Sequence, residues 1–582
     1  MTWGHAGAVA TGLLLAVAYP PFEDWQTAWG ALVPLLLVLL RRAETWRGGV
    51  VISQSGPDGA GPSKNPENRT MPDGGTLSAT SGGMSELLRQ AFRTGYLAGA
   101  VFWLISLAWL LTLFKTSPAP AVLILAGYLG LAAYCALFMG GFAMTVSWAA
   151  ATLGTEKAWK TLLLTPMIAV IGVAFEYGRG VILGGFPWNT LGVSQFRNIV
   201  LIQSAEWTGV AGVSALILLV NAGAAMTILR YLPGRASRVY RPHIELFIGL
   251  AVTALVFRSG IGMVRENTPT FATLSVAAVQ PGIPQTLKWD QTVVDDNHAT
   301  LRRLTEDAFD LDPKPDLVIW PETSTPYPVN TEGESQDLVK DLTRNGVPLL
   351  VGSMVLAGDE QSMECFNSSL LIDGTGKFIG RYDKQHLVPF GEYIPLSGVM
   401  PFLAKLAPMG WNCTAGKEAT ILRAGEPATL FSVLICFEDI MSQLARKAAL
   451  AGAAMLVNQT NDAWFDGSAG PVQHLSHCVF RAVETRLPVI RVANTGITCL
   501  IQPSGRIDGE TGNSRRETPK SQVCQWLVCA LPSAGEGTLY MRYGDWMLAI
   551  PCAIAGGICF VLAFVAARRK MSAPICRGEK ES

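Results

Sequence analysis

The chain has 582 residues, of which 49% are hydrophobic and only 15% charged, with 45 basic and 45 acidic side chains. Average globular chains carry roughly 25% charge, so the deficit excludes a disordered protein and an ordinary soluble enzyme, and the length leaves room for a membrane part plus at least one domain. Zero net charge excludes a nucleic-acid binder, whose affinity rests on excess Lys and Arg, and eleven Cys are too sparse for a disulfide scaffold. Cys524 and Cys529 have no second pair or His cluster to complete a zinc site, so no metal is expected.

In chain order, the apolar runs that fit membrane spans are Ala6 to Pro20, Gln26 to Leu40, Leu97 to Phe114, Ala121 to Ala151, Leu162 to Phe175, Val210 to Leu229, Ile244 to Phe257 and Trp546 to Ala567. The third is the plainest: no charge interrupts it, Lys115 stops it, and Pro118 and Pro120 follow. A helix rising about 1.5 Å per residue needs roughly 20 apolar residues to cross the hydrocarbon. The first, second and fifth runs, taken singly, also read as buried helices of a soluble core. Together the eight predict a polytopic α-helical membrane protein, with seven spans in residues 1–264 and the last, with its tail, in 536–582. The first run has no Lys or Arg ahead of it and further spans follow directly, so it reads as a retained helix and not a cleaved signal.

Residues 50–87 are rich in Gly, Ser, Pro and Asn and nearly devoid of apolar side chains. Such a composition buries too little surface to offset its ordering entropy, so a disordered loop is expected there. The basic clusters fall on one side of the bundle: Arg41, Arg42, Arg47, Arg89 and Arg93; Lys157 and Lys160; Arg230, Arg235, Arg238 and Arg241; Arg568, Arg569 and Lys570. Lys and Arg in short connections mark the cytoplasmic face, which puts the polar segment 265–535 on the opposite one.

From Thr273 the texture changes to short β-rich runs: TLSVAAVQ, DLVIWPE, PLLVGSMV, SSLLID, KFIGRYD, LFSVLICFE, AMLVNQT and PVIRVANTG. Helical stretches at Thr300 to Asp310, Ser442 to Ala451 and His474 to Thr485 lie between them. This alternation indicates an α/β layered domain, and Asp373-Gly374 is a hairpin signal.

Polar residues at strand ends are where catalysis is expected. Glu322 follows Pro321 at the end of DLVIWPE, where shielding from water raises a carboxylate toward a useful base. Cys436 ends the apolar run LFSVLIC, where a sharp turn exposes sulfur beside backbone N–H groups. Lys384, in RYDKQHLVPFGEY, supplies positive charge to a thiolate and an oxyanion. Singly, the Cys reads as inert core, Glu322 as a helix cap and Lys384 as a solvated charge; the combination argues otherwise. A papain-like pairing of Cys436 with His386, His474 or His477 is the alternative.

The order Glu, Lys, Cys in the contexts IWPE, YDKQHLVPFGEY and ICFED resembles the nitrilase (carbon–nitrogen hydrolase) superfamily, and implies Glu322, Lys384 and Cys436 as its triad on an αββα sandwich. Behind seven spans and before one more, the arrangement resembles the apolipoprotein N-acyltransferase family. FEYGRGVILGGFPWNTLGVSQF, QPGIPQTLKWD and NQTNDAWFDGSAGPVQH match as well, so the similarity covers nearly the whole chain. It departs in reading QPGI for QGNI, CFE for CYE and DGS for GDS. The resemblance implies that Glu392 and Glu438 are further essential carboxylates, and that Trp289, Tyr393, Phe437 and Trp464 lie on loops lining the substrate site. It also implies a bacterial inner-membrane location with the catalytic domain periplasmic.

What this implies chemically is a ping-pong transfer, without a cofactor, of an acyl chain from a phospholipid through a Cys436 thioester to the α-amine of a diacylated apolipoprotein. The bilayer is then a working partner: the spans hold the cavity where acyl chains enter sideways, with Phe186 and Trp188 either lining that entry or forming an ordinary aromatic belt. One rival is a membrane-anchored amidase transferring to water, for which a single span suffices. The other is a transporter, which usually keeps ionisable groups inside its spans; here Glu176, Arg179 and Glu245 lie near span ends.

Overall fold

The computed structural model describes residues 3–54, 83–232, 242–266, 272–359, 363–394, 412–425, 428–509, 523–531 and 537–547, with single positions between 550 and 561. Most of the eighth apolar run, and residues 55–82 of the expected disordered loop, lie outside them.

The other seven runs are helical: α1 Trp3–Val17, α2 Val33–Gln54, α3 Met84–Ser106, α4 Ala121–Leu153, α5 Ala158–Val181, α6 Ala205–Leu229 and α7 Ile244–Glu266. Among the described residues four helices are long and apolar enough to cross a membrane (those beginning at Ala121, Ala158, Ala205 and Ile244), or five if a bent pair is one span. The described residues thus form a multi-pass bundle with four to five helices of membrane length. α1 is short at 15 residues, and α2 carries Arg41, Arg42, Glu44 and Arg47 within its length. At the edges of the expected loop, residues 50–54 and 84–87 are helical, since α2 runs to Gln54 and α3 starts at Met84.

The run Leu97 to Phe114 is not one straight helix. α3 ends at Ser106, and the chain bends by 45° into a short helical stretch ending at Thr116. α3 presents small residues at helical spacing, and Gly95 lets it close on α4: a Cβ there would stand 2.5 Å from the Met139 carbonyl oxygen. Close backbone approach through small residues is how helices pack where no hydrophobic effect operates between them.

The second half is a sandwich of two mixed six-stranded sheets. The first has the order β12-β1-β2-β3-β4-β5, from β12 Val523–Leu531, β1 Ala272–Gln280, β2 Leu317–Ile319, β3 Leu349–Ala357, β4 Glu364–Ile372 and β5 Phe378–Asp383. The second has the order β11-β10-β9-β8-β7-β6, from β11 Ile507–Asp508, β10 Cys499–Ile501, β9 Val489–Ala493, β8 Met455–Thr460, β7 Thr429–Ile435 and β6 Leu422–Ala424. β1, β2 and β3 pair in parallel, as do β7, β8 and β9, while the outer strands pair antiparallel. Asp373 closes the β4–β5 hairpin as expected, accepting from the Thr375 and Lys377 amides.

Alternate side chains of the two sheets meet in one core, with Val276, Ile319 and Leu350 facing Phe431, Val433, Met455, Val457 and Ile490. Helices α8 Val294–Phe309 and α9 Glu334–Thr343 cover the first sheet through Leu301, Leu304, Leu338 and Leu342. Helices α10 Ser442–Leu450 and α11 Gly470–Thr485 cover the second. Their outer side belongs to the same apolar cluster as the membrane helices, so the sandwich and the bundle share one core. α11 is buried along its length except at Val472, which is half-buried.

Candidate active site

β7 delivers its last residue to a turn in which Cys436 has φ +50°. That left-handed conformation costs a non-glycine residue of order 1–3 kcal/mol, and it lifts the half-buried thiol out of the strand line. Opposite, β3 carries Gly352 where a Cβ would stand 2.2 Å from the Pro321 carbonyl oxygen. This opening lets the Pro321–Glu322 turn fold down onto the sheet. There the amide of Ser324 donates to the Gly352 carbonyl (2.8 Å).

These turns bring three of the expected residues into direct contact. Lys384 Nζ lies 3.2 Å from Glu322 Oε1 and 2.9 Å from Glu392 Oε1. Asn367, from β4, donates to both carboxylates at 2.8 and 2.7 Å. The Val388 amide donates to the second oxygen of Glu392 (2.8 Å). Burial works against charge on Glu322, but Lys384, Lys288 and the Asn367 amide outweigh it and hold the carboxyl below its usual range. Burial likewise works against charge on Lys384, but Glu322 and Glu392 raise its pKa well above the ordinary value. The Cys436 thiol is pushed well up by burial and by the Glu322 charge, against the pull of Lys384. The resting site is therefore a protonated thiol facing an ionised Glu–Lys pair.

Glu438 takes a different place. Its carboxylate accepts from the amides of Ile435 (2.7 Å), Gln385 (2.6 Å) and His386 (3.1 Å) and from the Tyr382 hydroxyl (2.8 Å). It thus ties the turn of Cys436 to the segment that follows Lys384. Burial pushes its pKa up to about 7 in spite of those donors.

The aromatic positions divide. Phe437 stacks on Phe186 and Trp188 of the membrane half, with centroids 6.1 and 6.2 Å away, and on His386 at 6.0 Å. The Trp464 carbonyl accepts from Thr112 and Thr116, both at 3.0 Å, just beyond the bend after α3. Trp289 is 39% exposed and Tyr393 is half-buried on the rim. Among the described residues neither has a hydrogen bond or ring contact with Glu322, Lys384 or Cys436.

The histidines do not form the papain-like pair. The Cys436 thiol has its side-chain hydrogen bond with Thr460, and His386 is stacked on Phe437. His477 Nε2 accepts from the Asn189 amide (3.3 Å). His474 Nε2 lies 3.2 Å from the carbonyl oxygen of Cys436, not from its sulfur.

Two groups were absent from the sequence reading. Lys288, 2% exposed, donates to the Glu322 carbonyl (3.0 Å), and burial brings its pKa down to about 8 against the pull of Glu322 and Cys436. Behind the thiol, Arg491 of β9 binds Asp439 and Asp462 at 2.8 Å each and Asn458 at 2.6 Å. His474 lies 2.9 Å from Asp439 and 3.0 Å from Asp462. Burial lowers the imidazole pKa and Arg491 lowers it further, but the two carboxylates prevail and raise it to about 9. The signal was a charged residue in the middle of the apolar strand PVIRVANTG.

A strained cysteine turn facing buried Glu and Lys, on two stacked six-stranded sheets fused to a helical membrane bundle, describes a carbon–nitrogen hydrolase domain carried by a multi-pass membrane protein. Residues 275–523 match the carbon-nitrogen hydrolase family, and residues 77–223 match the apolipoprotein N-acyltransferase N-terminal domain. Over 567 residues the chain is 33% identical to an apolipoprotein N-acyltransferase of Geobacter metallireducens, covering 97% of this chain and 95% of that relative. One from Brucella suis is 32% identical over 452 residues, covering 75% of this chain and 80% of the relative. A nitrilase-superfamily structure from Saccharomyces cerevisiae overlaps 45% of this chain and 93% of its own, at 19% identity and a TM-score of 0.34. The chain belongs to the apolipoprotein N-acyltransferase family.

Proposed function

We propose that the protein transfers an acyl chain from a phospholipid to the N-terminal amine of an S-diacylglyceryl cysteine on apolipoproteins, through a thioester on Cys436. As the phospholipid ester carbonyl approaches, ionised Glu322 takes the thiol proton and sulfur attacks the carbonyl carbon. Lys384 and a backbone N–H near Phe437 neutralise the oxyanion. On collapse the ester C–O bond breaks, Glu322 returns its proton to the departing oxygen, and a lysophospholipid leaves. The lipoprotein amine then attacks the thioester, giving its proton to Glu322. The C–S bond breaks and the thiol is restored. Glu392 holds Lys384 in place, and Glu438 holds the Lys384 segment against the cysteine turn.

The observation that carries this reading is the aromatic stack of Phe186 and Trp188 on Phe437, the residue after the nucleophile. It joins the reacting turn to the membrane helices, which a lipid donor needs and a soluble amide does not. The reading includes eight spans, a bacterial inner-membrane location, a periplasmic catalytic domain and Trp289, Tyr393 and Trp464 as substrate-lining residues. The alternative, an amidase that transfers to water, shares the triad.

The test is incubation of the purified protein with phospholipid, with and without a diacylated lipopeptide bearing a free N-terminus, followed by mass analysis. Phospholipid alone gives about one equivalent of lysophospholipid and an acyl group held on Cys436, because ping-pong chemistry stops there. The lipopeptide then discharges it as an amide. Continuous fatty-acid release without acceptor, as fast as amide formation with it, overturns the transferase reading.

A further inference from the structure

Lys384 and Glu392 are backed by one short extended segment. The Cys413 amide donates to the Glu392 carbonyl (2.8 Å), the Thr414 amide to the Cys365 carbonyl (2.7 Å) and the Gly416 amide to the Lys384 carbonyl (2.8 Å). At its start Cys413 faces Cys365, of β4, across a parallel bridge. Bridged backbones run about 4.7–4.9 Å apart, inside the 4.4–6.8 Å window that a disulfide requires between Cα atoms. Both side chains are buried, forming a small apolar cluster with Met354 beside Leu356 and Leu387, and the two thiols are in hydrogen-bonding contact. Among the described residues no other two cysteines face each other across a strand pairing. Cys436 packs against a different cluster, so the reactive thiol is not drawn into the pair.

We propose that Cys365 and Cys413 are joined by a disulfide that braces the Lys384–Glu392 side of the active site from behind. The inference rests on the reading that the catalytic domain occupies the oxidising face of the membrane. The oxidant is the disulfide of a dithiol–disulfide oxidoreductase. One cysteine, as thiolate, attacks it and forms a mixed disulfide; the second cysteine displaces the oxidoreductase thiol. Two thiols lose two protons and two electrons, and the oxidoreductase leaves as a dithiol. The closed loop holds both Lys384 and Glu392, so the link removes unfolded-state freedom from the residues that must stay in register with Glu322.

The test uses the full-length protein in its own membranes, with thiols quenched by a maleimide before digestion without reductant. The expected product is a linked Cys365–Cys413 peptide pair that separates on reduction, with Cys436 recovered as its maleimide adduct. Both cysteines recovered as adducts, from cells whose reporter fusion places residues 265–535 on the oxidising face, overturns the proposal. The same adducts with a reporter placing the domain in the cytoplasm overturn the topology on which it rests. Purified, reduced protein re-exposed to oxidised glutathione tests the pairing apart from topology: a linked pair sustains it and two thiols overturn it. Oxidised protein should unfold about 5 °C above both the reduced protein and a C365S/C413S double variant; identical midpoints overturn the bracing role.

Discussion

Two groups of buried charges flank Cys436 and are built differently. Glu322, Lys384, Glu392 and Lys288 come from the ends of β1, β2 and β5 and the loops beyond them, with Asn367 reaching in from β4. Their charges face the sulfur, and both Glu322 and Lys384 bear on its ionisation. Arg491, Asp439, Asp462 and His474 sit on or beside the second sheet; from this side His474 and Asn458 reach the Cys436 carbonyl (3.2 and 3.3 Å), and of the four charges Asp462 alone adds a smaller push on the thiol. On the proposed mechanism the first group holds the protons that move, and the second backs the turn in which Cys436 has φ +50°. Rate and stability should therefore separate between them.

The sharpest separation is at the sulfur and its base. C436A and C436S are expected to lower acyl transfer by about 10³-fold or more while inserted protein and unfolding midpoint stay near wild type; E322Q is expected to lose as much rate, since the proposed nucleophile and its proton acceptor act as a unit, and also some stability, because buried Lys384 loses one of its two carboxylates. The measurement is single-turnover lysophospholipid release beside a thermal melt. Near-normal release from C436A would remove the nucleophile assignment.

The second group should show the reverse. R491M leaves Asp439 and Asp462 buried without their shared cation, and breaking such a pair costs about 3–5 kcal/mol; loss of folded protein is expected instead of a specific kinetic defect. H474Q is milder and depends on pH. The imidazole is raised to about 9 in the folded state from an unfolded value near 6.5, so its contribution, of order 3 kcal/mol, is complete below about pH 6.5 and lost as pH rises through about 9. Melts of wild type and H474Q should converge above that pH. A difference independent of pH would mean that His474 is neutral and acts by packing alone.

Much of this division was legible in the sequence, for different physical reasons. Glu322, Lys384 and Cys436 each follow an apolar strand, and buried strands announce themselves by composition. All eight expected strands are present, because β-rich runs bounded by turn residues leave little freedom. β6, β10 and β11, of two or three residues, are too short to carry a period, and only tertiary pairing defines them. Lys288 stands beside Trp289, and Asp439 beside Glu438; in each pair the motif drew attention to the neighbour, and only the fold shows that Lys288 faces inward and that Asp439 is buried along with Glu438 and bound to Arg491. The extension of α2 past its apolar part is also tertiary. Arg42 reaches Thr94, and Arg47 reaches Glu156 and the end of α4, so charges that seemed to end a span instead bind its neighbours.

Lys288 gives the smallest effect and the finest test of the division, because it belongs to the first group while its hydrogen bond goes to the Glu322 carbonyl and not to the thiol. Its ammonium lies at the Glu322 carbonyl, where it favours an ionised Glu322. Burial brings it down to about 8, so it is charged at neutral pH and loses its charge as pH rises through that value. With the charge gone, Glu322 is held less firmly in its ionised form and the developing thiolate loses a nearby cation. Wild-type acyl transfer should therefore fall by about tenfold from pH 7 to pH 9, the size of effect that one nearby charge exerts on a partly screened site. K288M should be about tenfold slower at pH 7 and should show no such fall, because there is no proton left to lose. Glu322 and Cys436 remain in the variant, so the loss belongs to kcat with the melt little changed. A K288M profile parallel to wild type across this range would move Lys288 from the reacting group to the supporting one, and leave Lys384 to balance Glu322 alone.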